Sequence, residues 1–202
     1  MPDPKPRPTP EDALARLAEG NRRFLAGGSP VVNEPGSHRL VAAAQTPFAA
    51  LLCCSDSRVS PEILFATGLG ELFVVRNAGN TADNAATGSL EFAVAQLGVA
   101  LIGVLGHDRC GAVEAAISVV ERDARLPGAM GTMIAPIIPA AIAACRCGAK
   151  DPVRATAEEN VRRVVEHLLA RSQIIAEAAR AGQIRVVGGI YDLDTGRVRI
   201  LG

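Results

Sequence analysis

A chain of 202 residues, 49% of them apolar, is long enough to bury one sizeable core. Its 21 basic and 21 acidic side chains cancel, which removes any electrostatic reason to expect nucleic acid or an anionic membrane as partner. Five cysteines, an odd number with Cys53 and Cys54 adjacent, do not fit a secreted disulfide framework and point to a reducing, cytoplasmic setting.

Residues 1–8 are proline-rich, lack the apolar core of a signal peptide, and read as extended or disordered; residues 9–202 read as a single domain. Thr9-Pro10-Glu11-Asp12 is a helix start, with a hydroxyl cap, a first-turn proline and acids facing the dipole. This helical arm carries Leu14, Leu17, Phe24 and Leu25 on one side and stops at Gly27-Gly28, so its stripe must dock on the body or on another subunit. Apolar runs at 48–54, 72–76, 99–106 and 184–190 read as buried parallel strands. Between them lie helical patterns: a short one from Ser60-Pro61-Glu62, then 83–97, 110–122, the Ala-rich stretch 129–147 and a long helix near 154–181. The 17 uncharged positions from Ala129 to Cys145 are interrupted by Gly131, Pro136 and Pro139, which suits a buried helical segment better than a membrane span. Residues 191–198 read as a hairpin returning into a last strand, antiparallel at the edge. The expected class is α/β: a mostly parallel central sheet of four strands with an antiparallel edge strand, flanked by helices and preceded by a helical arm.

Ligand sites in open α/β sheets gather at the carboxyl ends of the strands. Cys54 sits at the end of the first strand, His107 just past the third, and Cys110 opens the next helix, where free N–H groups and the dipole favour thiolate. Two sulfurs and an imidazole are a ligand set for zinc, leaving a fourth position for water or for the carboxylate of Asp56. Arg58, two residues on, carries a planar fork suited to holding that carboxylate; while it does so, Asp56 stays ionised and can accept a proton from an activated water. If the pair breaks, Asp56 can bind zinc and close the site. The remaining reactive residues read as ordinary structure. Cys53 faces the core opposite Cys54, Cys145 and Cys147 are core or surface thiols, and His38 is a solvated loop residue. His167 sits mid-helix, Asp108 and Arg109 cap or point to solvent, and Gly68, Gly70 and Gly79 serve turns. Arg162-Arg163, among Glu158, Glu159 and Glu166, belongs to a solvated helix face.

CSDSRV (54–59), GHDRCGAV (106–113) and the intervening GELFVVRNAGN (70–80) together resemble the β-class carbonic anhydrases, and the resemblance runs from EGNRRF (19–24) to the final hairpin. It implies an enzyme, a lyase (carbonate dehydratase), that reversibly hydrates carbon dioxide to bicarbonate and a proton. It implies Zn²⁺ on Cys54, His107 and Cys110, with Asp56 paired to Arg58 or serving as fourth ligand. It also implies a homodimer, often doubled into a dimer of dimers, with the N-terminal helix reaching over the partner. The substrate pocket it implies is lined by Gln45, Phe73, Ala78 and Phe92, partly across the subunit interface, with the Gly111 N–H beside the metal. Phe92 stands where many relatives carry Tyr. Leu51 stands where a bicarbonate-inhibited subset carries Trp. The alternative on the same scaffold is hydrolysis of carbonyl sulfide or carbon disulfide.

Overall fold

The computed structural model describes residues 8–28 and 36–201; all of the terminal segment 1–8 but Pro8 lies outside the described residues. Five strands form one sheet in the order β2-β1-β3-β4-β5: β1 (Ala49–Cys54), β2 (Leu72–Asn77), β3 (Leu101–His107), β4 (Arg185–Tyr191) and β5 (Val198–Leu201). The first four are parallel, and β5 runs antiparallel on β4, as the composition of the apolar runs and the hairpin predicts.

Alternation along β1 sends its side chains into two separate cores. Ala50, Leu52 and Cys54 join one with Leu90, Ile102, Val113, Ile137 and Val161, under α3 (Asn84–Phe92), α4 (Gly111–Arg122), α6 (Ile138–Arg146) and α7 (Pro152–Arg171). Ala49, Leu51 and Cys53 join the other with Ala13, Leu17, Leu64 and Tyr191, under α1 (Pro10–Leu25) and the single turn α2 (Pro61–Leu64). Cys53 is therefore a core residue, and burial pushes its thiol up to about 12.

The expected elements are all present, with shifted limits. Helix α1 has the expected Thr9 hydroxyl cap, which Asp12 completes into a capping box, and docks on its own sheet, although Leu25 at its end stays exposed. The 129–147 stretch is not one helix. Pro136 and Pro139 lack the N–H that a continuous ladder needs, so it divides into α5 (Met130–Ile134), a 3₁₀ turn Ala135–Ile137, and α6. The long helix near 154–181 breaks at Ser172, whose backbone is extended and whose hydroxyl accepts the Ile175 N–H; α7 ends there and α8 (Gln173–Arg180) begins. Helix α3 runs into a π turn, Ala93–Leu97, closed by Gly98 at positive φ. Among the described residues no helix is long and apolar enough to cross a membrane.

Helix α1 is pinned by contact as well as by apolar burial. Asn21 donates from Nδ2 to the Leu64 and Gly196 carbonyls (3.2 and 3.0 Å) and accepts the Val198 N–H (3.0 Å), tying α1 to α2 and to the β4–β5 hairpin. Gly20 lies so close to the loop after α2 that a Cβ there would sit 1.9 Å from the Phe65 carbonyl oxygen. Alanine gains about 1 kcal/mol of helix propensity over glycine, but overpacking against fixed backbone costs about 1–3 kcal/mol or more. Gly20→Ala is expected to lower the thermal midpoint; an unchanged or raised midpoint in calorimetry contradicts this contact.

Candidate active site

The sheet register brings two distant motifs together. Cys53 pairs with Leu105 across β1 and β3, so Cys54 and His107 end neighbouring strands, while Cys54 pairs with Asn77 of β2 on the other side. Cys110 caps α4, three residues after the strand. His107 is thus the last residue of β3 rather than just past it. The side chains of Cys54, His107 and Cys110 are buried, and their ligand atoms all lie within 4.8 Å of one another.

Three details test whether this trio fits a metal ion. The two sulfurs are 3.8 Å apart, far beyond a disulfide bond. Two bonds of about 2.3 Å at a tetrahedral angle span about 3.8 Å, so the spacing suits two thiolates on one zinc. His107 Nδ1 lies 2.8 Å from the Asp108 carbonyl, which makes Nδ1 the donor and leaves the lone pair on Nε2. That Nε2 is buried and has no hydrogen-bond partner. The donor set fits zinc.

The sulfurs share one local field. Cys54 Sγ accepts the N–H groups of Asp56 and Gly79, both at 3.4 Å. Its hydrogen bond with Cys110, helped by the neighbouring His107 imidazole and then by those amides, lowers the Cys54 pKa against the effect of burial. Cys110 moves the other way, because the Cys54 sulfur beside it and its burial outweigh the amides of Ala112 and Val113 in the first turn of α4. The amides at the start of α4 still favour thiolate at Cys110, as expected, and the neighbouring Cys54 sulfur and burial work against them.

Asp56 lies beside the trio and is held by Arg58. Oδ1 accepts the Arg58 backbone N–H and Nε (both 2.9 Å), and Oδ2 accepts Nη2 (2.8 Å). Oδ2 is also 3.9 Å from His107 Nε2. The Arg58 guanidinium holds the Asp56 carboxyl well below the usual carboxylate range. Arg58 Nη2 also donates to the Arg109 carbonyl (3.3 Å). Arg109, at φ 51°, pairs with Asp194 of the hairpin (2.8 Å), while Asp108 turns inward with Oδ1 buried and unpartnered. Arg109, exposed as expected, anchors a loop from the surface, while Asp108 is half-buried with one carboxylate oxygen enclosed.

The residues of the implied pocket are more dispersed. Phe73 and Phe92 pair with ring centroids 6.3 Å apart, and Phe92 stays 49% exposed. Ala78 is half-buried in the turn after β2, Gly111 is exposed at the start of α4, and Gln45 is exposed on the approach to β1.

Three supporting residues carry no role in the motif reading, although two of them, Arg76 and Asn77, lie inside GELFVVRNAGN (70–80). Arg76 donates to the Cys54 and Asp56 carbonyls (3.0 and 2.8 Å), fixing the turn that carries Asp56. Asn77 closes the 77–81 turn through both ends of its amide. Asn160 of α7 donates to the Gly79 carbonyl (3.0 Å). Its one signal in the sequence is a polar side chain on the helical face shared by Ala157, Val161 and Val164.

A parallel α/β sheet with a cysteine–histidine–cysteine cluster at its strand ends defines the class. A family model described as carbonic anhydrase matches residues 49–198. Carbonic anhydrase 2 of Mycobacterium tuberculosis is 42% identical over 194 residues, covering 95% of this chain and 93% of that protein. The carbonic anhydrase of Mycolicibacterium smegmatis is 40% identical over 96% of this chain and 95% of its own length. Among solved structures, a tetrameric β-carbonic anhydrase of Sordaria macrospora superposes with a TM-score of 0.76 at 27% identity, over 94% of this chain and 97% of that one. A Coccomyxa β-carbonic anhydrase in complex with acetazolamide superposes at 0.72 and 30% identity, over 93% and 86%. The chain belongs to the β-class carbonic anhydrases, and it is an enzyme of the lyase type, a carbonate dehydratase.

The Asp56–Arg58 pair has a pH signature. A carboxyl whose folded pKa is depressed contributes stability above its unfolded value and loses it as pH falls through the folded one. In metal-free protein, Asp56→Asn is expected to cost up to about 1 kcal/mol at neutral pH, Arg58 being half exposed. The difference from the parent should shrink between about pH 5 and pH 2. Denaturant unfolding at each pH measures it, and a difference that grows in acid contradicts the assignment.

Proposed function

We propose that this chain, as one domain over residues 9–202, carries out the zinc-dependent reversible hydration of carbon dioxide to bicarbonate and a proton. The observation that carries this reading is the convergence of two sulfurs and an unpartnered Nε2 beside a carboxylate held by arginine. Cys54, His107 and Cys110 would hold the ion, with Asp56 in reserve as fourth ligand. Zinc bound there supplies a Lewis acid that makes water acidic enough to act as nucleophile near neutral pH.

The chain's own residues do the rest. Arg58 keeps Asp56 ionised, so Oδ2, which faces His107 Nε2, accepts a hydrogen bond from the attacking water and aims its lone pair at the substrate carbon. Phe73, Phe92 and Ala78 offer an apolar wall to a linear molecule without charge, so little binding energy is available and positioning dominates. Gln45 and the Gly111 N–H would donate to the oxygen on which bicarbonate charge develops. Water adds to carbon, one proton leaves to buffer, and bicarbonate departs. Burial of Cys53 on the other sheet face leaves it out of this chemistry.

A homodimer or dimer of dimers in the cytoplasm completes the reading. Leu25, Phe92 and Ile200 are exposed apolar side chains that assembly would cover, and Phe92 belongs to the proposed pocket.

Stopped-flow hydration of carbon dioxide with metal analysis tests the proposal. Activity should track stoichiometric zinc, and Asp56→Asn should keep the metal while losing about 100-fold or more in kcat/KM. Full activity after the metal is stripped, or an undiminished Asp56→Asn, contradicts it.

A further inference from the structure

We infer that Asn160 is a positioning residue: from α7 it holds the Gly79 turn so that the Gly79 amide stays on the Cys54 sulfur. The inference rests on the zinc reading above. The turn has little freedom of its own kind to lose. Gly79 sits at φ 79°, where side chains are rarely tolerated, and a Cβ there would lie 2.5 Å from Ile137 Cδ1 and 3.0 Å from Ala112 Cβ. Glycine is thus required, but glycine is also the residue whose peptide planes rotate most easily. Asn77 closes the turn at its ends, accepting the Thr81 N–H (2.9 Å) and donating to the Thr81 carbonyl (2.7 Å). The middle has one long bond of its own, the Asn80 N–H to the Asn77 carbonyl (3.4 Å), and a shorter one from outside, Asn160 Nδ2 to the Gly79 carbonyl at 3.0 Å.

Asn160 is 2% exposed and shares the buried face of α7 with Ala157, Val161 and Val164. A buried amide on such a face is costly unless its hydrogen bond is needed. Without it the Gly79 carbonyl is left unpaired in the core, and the peptide turns to find another donor. Through the adjoining torsions of Gly79 that rotation draws its N–H away from Cys54 Sγ, now 3.4 Å away. A hydrogen bond on a ligating thiolate withdraws charge from the sulfur. Two thiolates cancel the formal charge of zinc, so the amides of Gly79 and Asp56 on Cys54 keep the ion electron-poor. Asn160 reaches the metal centre by way of Gly79 without touching substrate or ion.

Protein loaded with NMR-active cadmium reads this directly, because an amide proton bonded to a ligating sulfur shows scalar coupling to the metal. The parent should show coupling at the Gly79 and Asp56 amides. In Asn160→Leu the Gly79 coupling should vanish, the Asp56 coupling should remain, and cadmium should bind about tenfold more weakly. Asn160→Val serves as the second variant if the first misfolds, with the same expected result. Gly79 coupling that persists in a folded, loaded variant, or its absence from a loaded parent that couples at Asp56, overturns the role of Asn160 alone. A parent that binds no cadmium at Cys54 overturns the metal reading beneath it.

Discussion

The register between β1 and β3 is the constraint on which the rest depends. With Cys53 opposite Leu105, Cys54 and Cys53 fall on opposite faces, and only Cys54 meets His107 and Cys110. A one-residue slip would send Cys54 toward α1 and put Cys53 in its place, because side chains alternate with a period of two. The register is secured by burial of every residue of β1 and of β3, each strand contributing to both cores.

Around that fixed point, the loops at the strand ends are cross-braced. Arg76 of β2 holds the carbonyls of the 54–56 turn, Arg58 bridges Asp56 to the Arg109 carbonyl, and Arg109 reaches Asp194 in the hairpin. The hairpin is in turn held by Asn21 of α1. Helix α1, on the far face of the sheet, is thereby linked to the loop between His107 and Cys110. The exposed Arg109–Asp194 pair contributes little energy by itself; its role is geometric, since it orients a residue in left-handed conformation between two proposed ligands.

Much of this was legible in the sequence for physical reasons. Buried parallel strands must be continuously apolar, so all four could be placed, and the two motifs named the residues that meet at their ends. Limits were less legible where a hydrogen bond rather than hydropathy decides them. Val99 is apolar and buried but precedes β3, because its N–H turns back to the Ala93 carbonyl at the end of the π turn. The Ala-rich 129–147 stretch favours helix at nearly every position, yet two prolines divide it. Arg162 and Arg163 lie on a solvated face as expected, paired with Glu158 and Glu159, and their neighbour Asn160 was hidden among those polar residues although it points inward. Contacts across 81 residues, such as Asn160 to Gly79, leave no local pattern.

X-ray absorption at the zinc edge of the purified protein tests the central claim most directly. The account predicts two sulfurs at about 2.3 Å and one imidazole nitrogen at about 2.0–2.1 Å, with a single light atom completing the shell. A shell of four sulfurs, one without sulfur, or a protein that carries no zinc contradicts it.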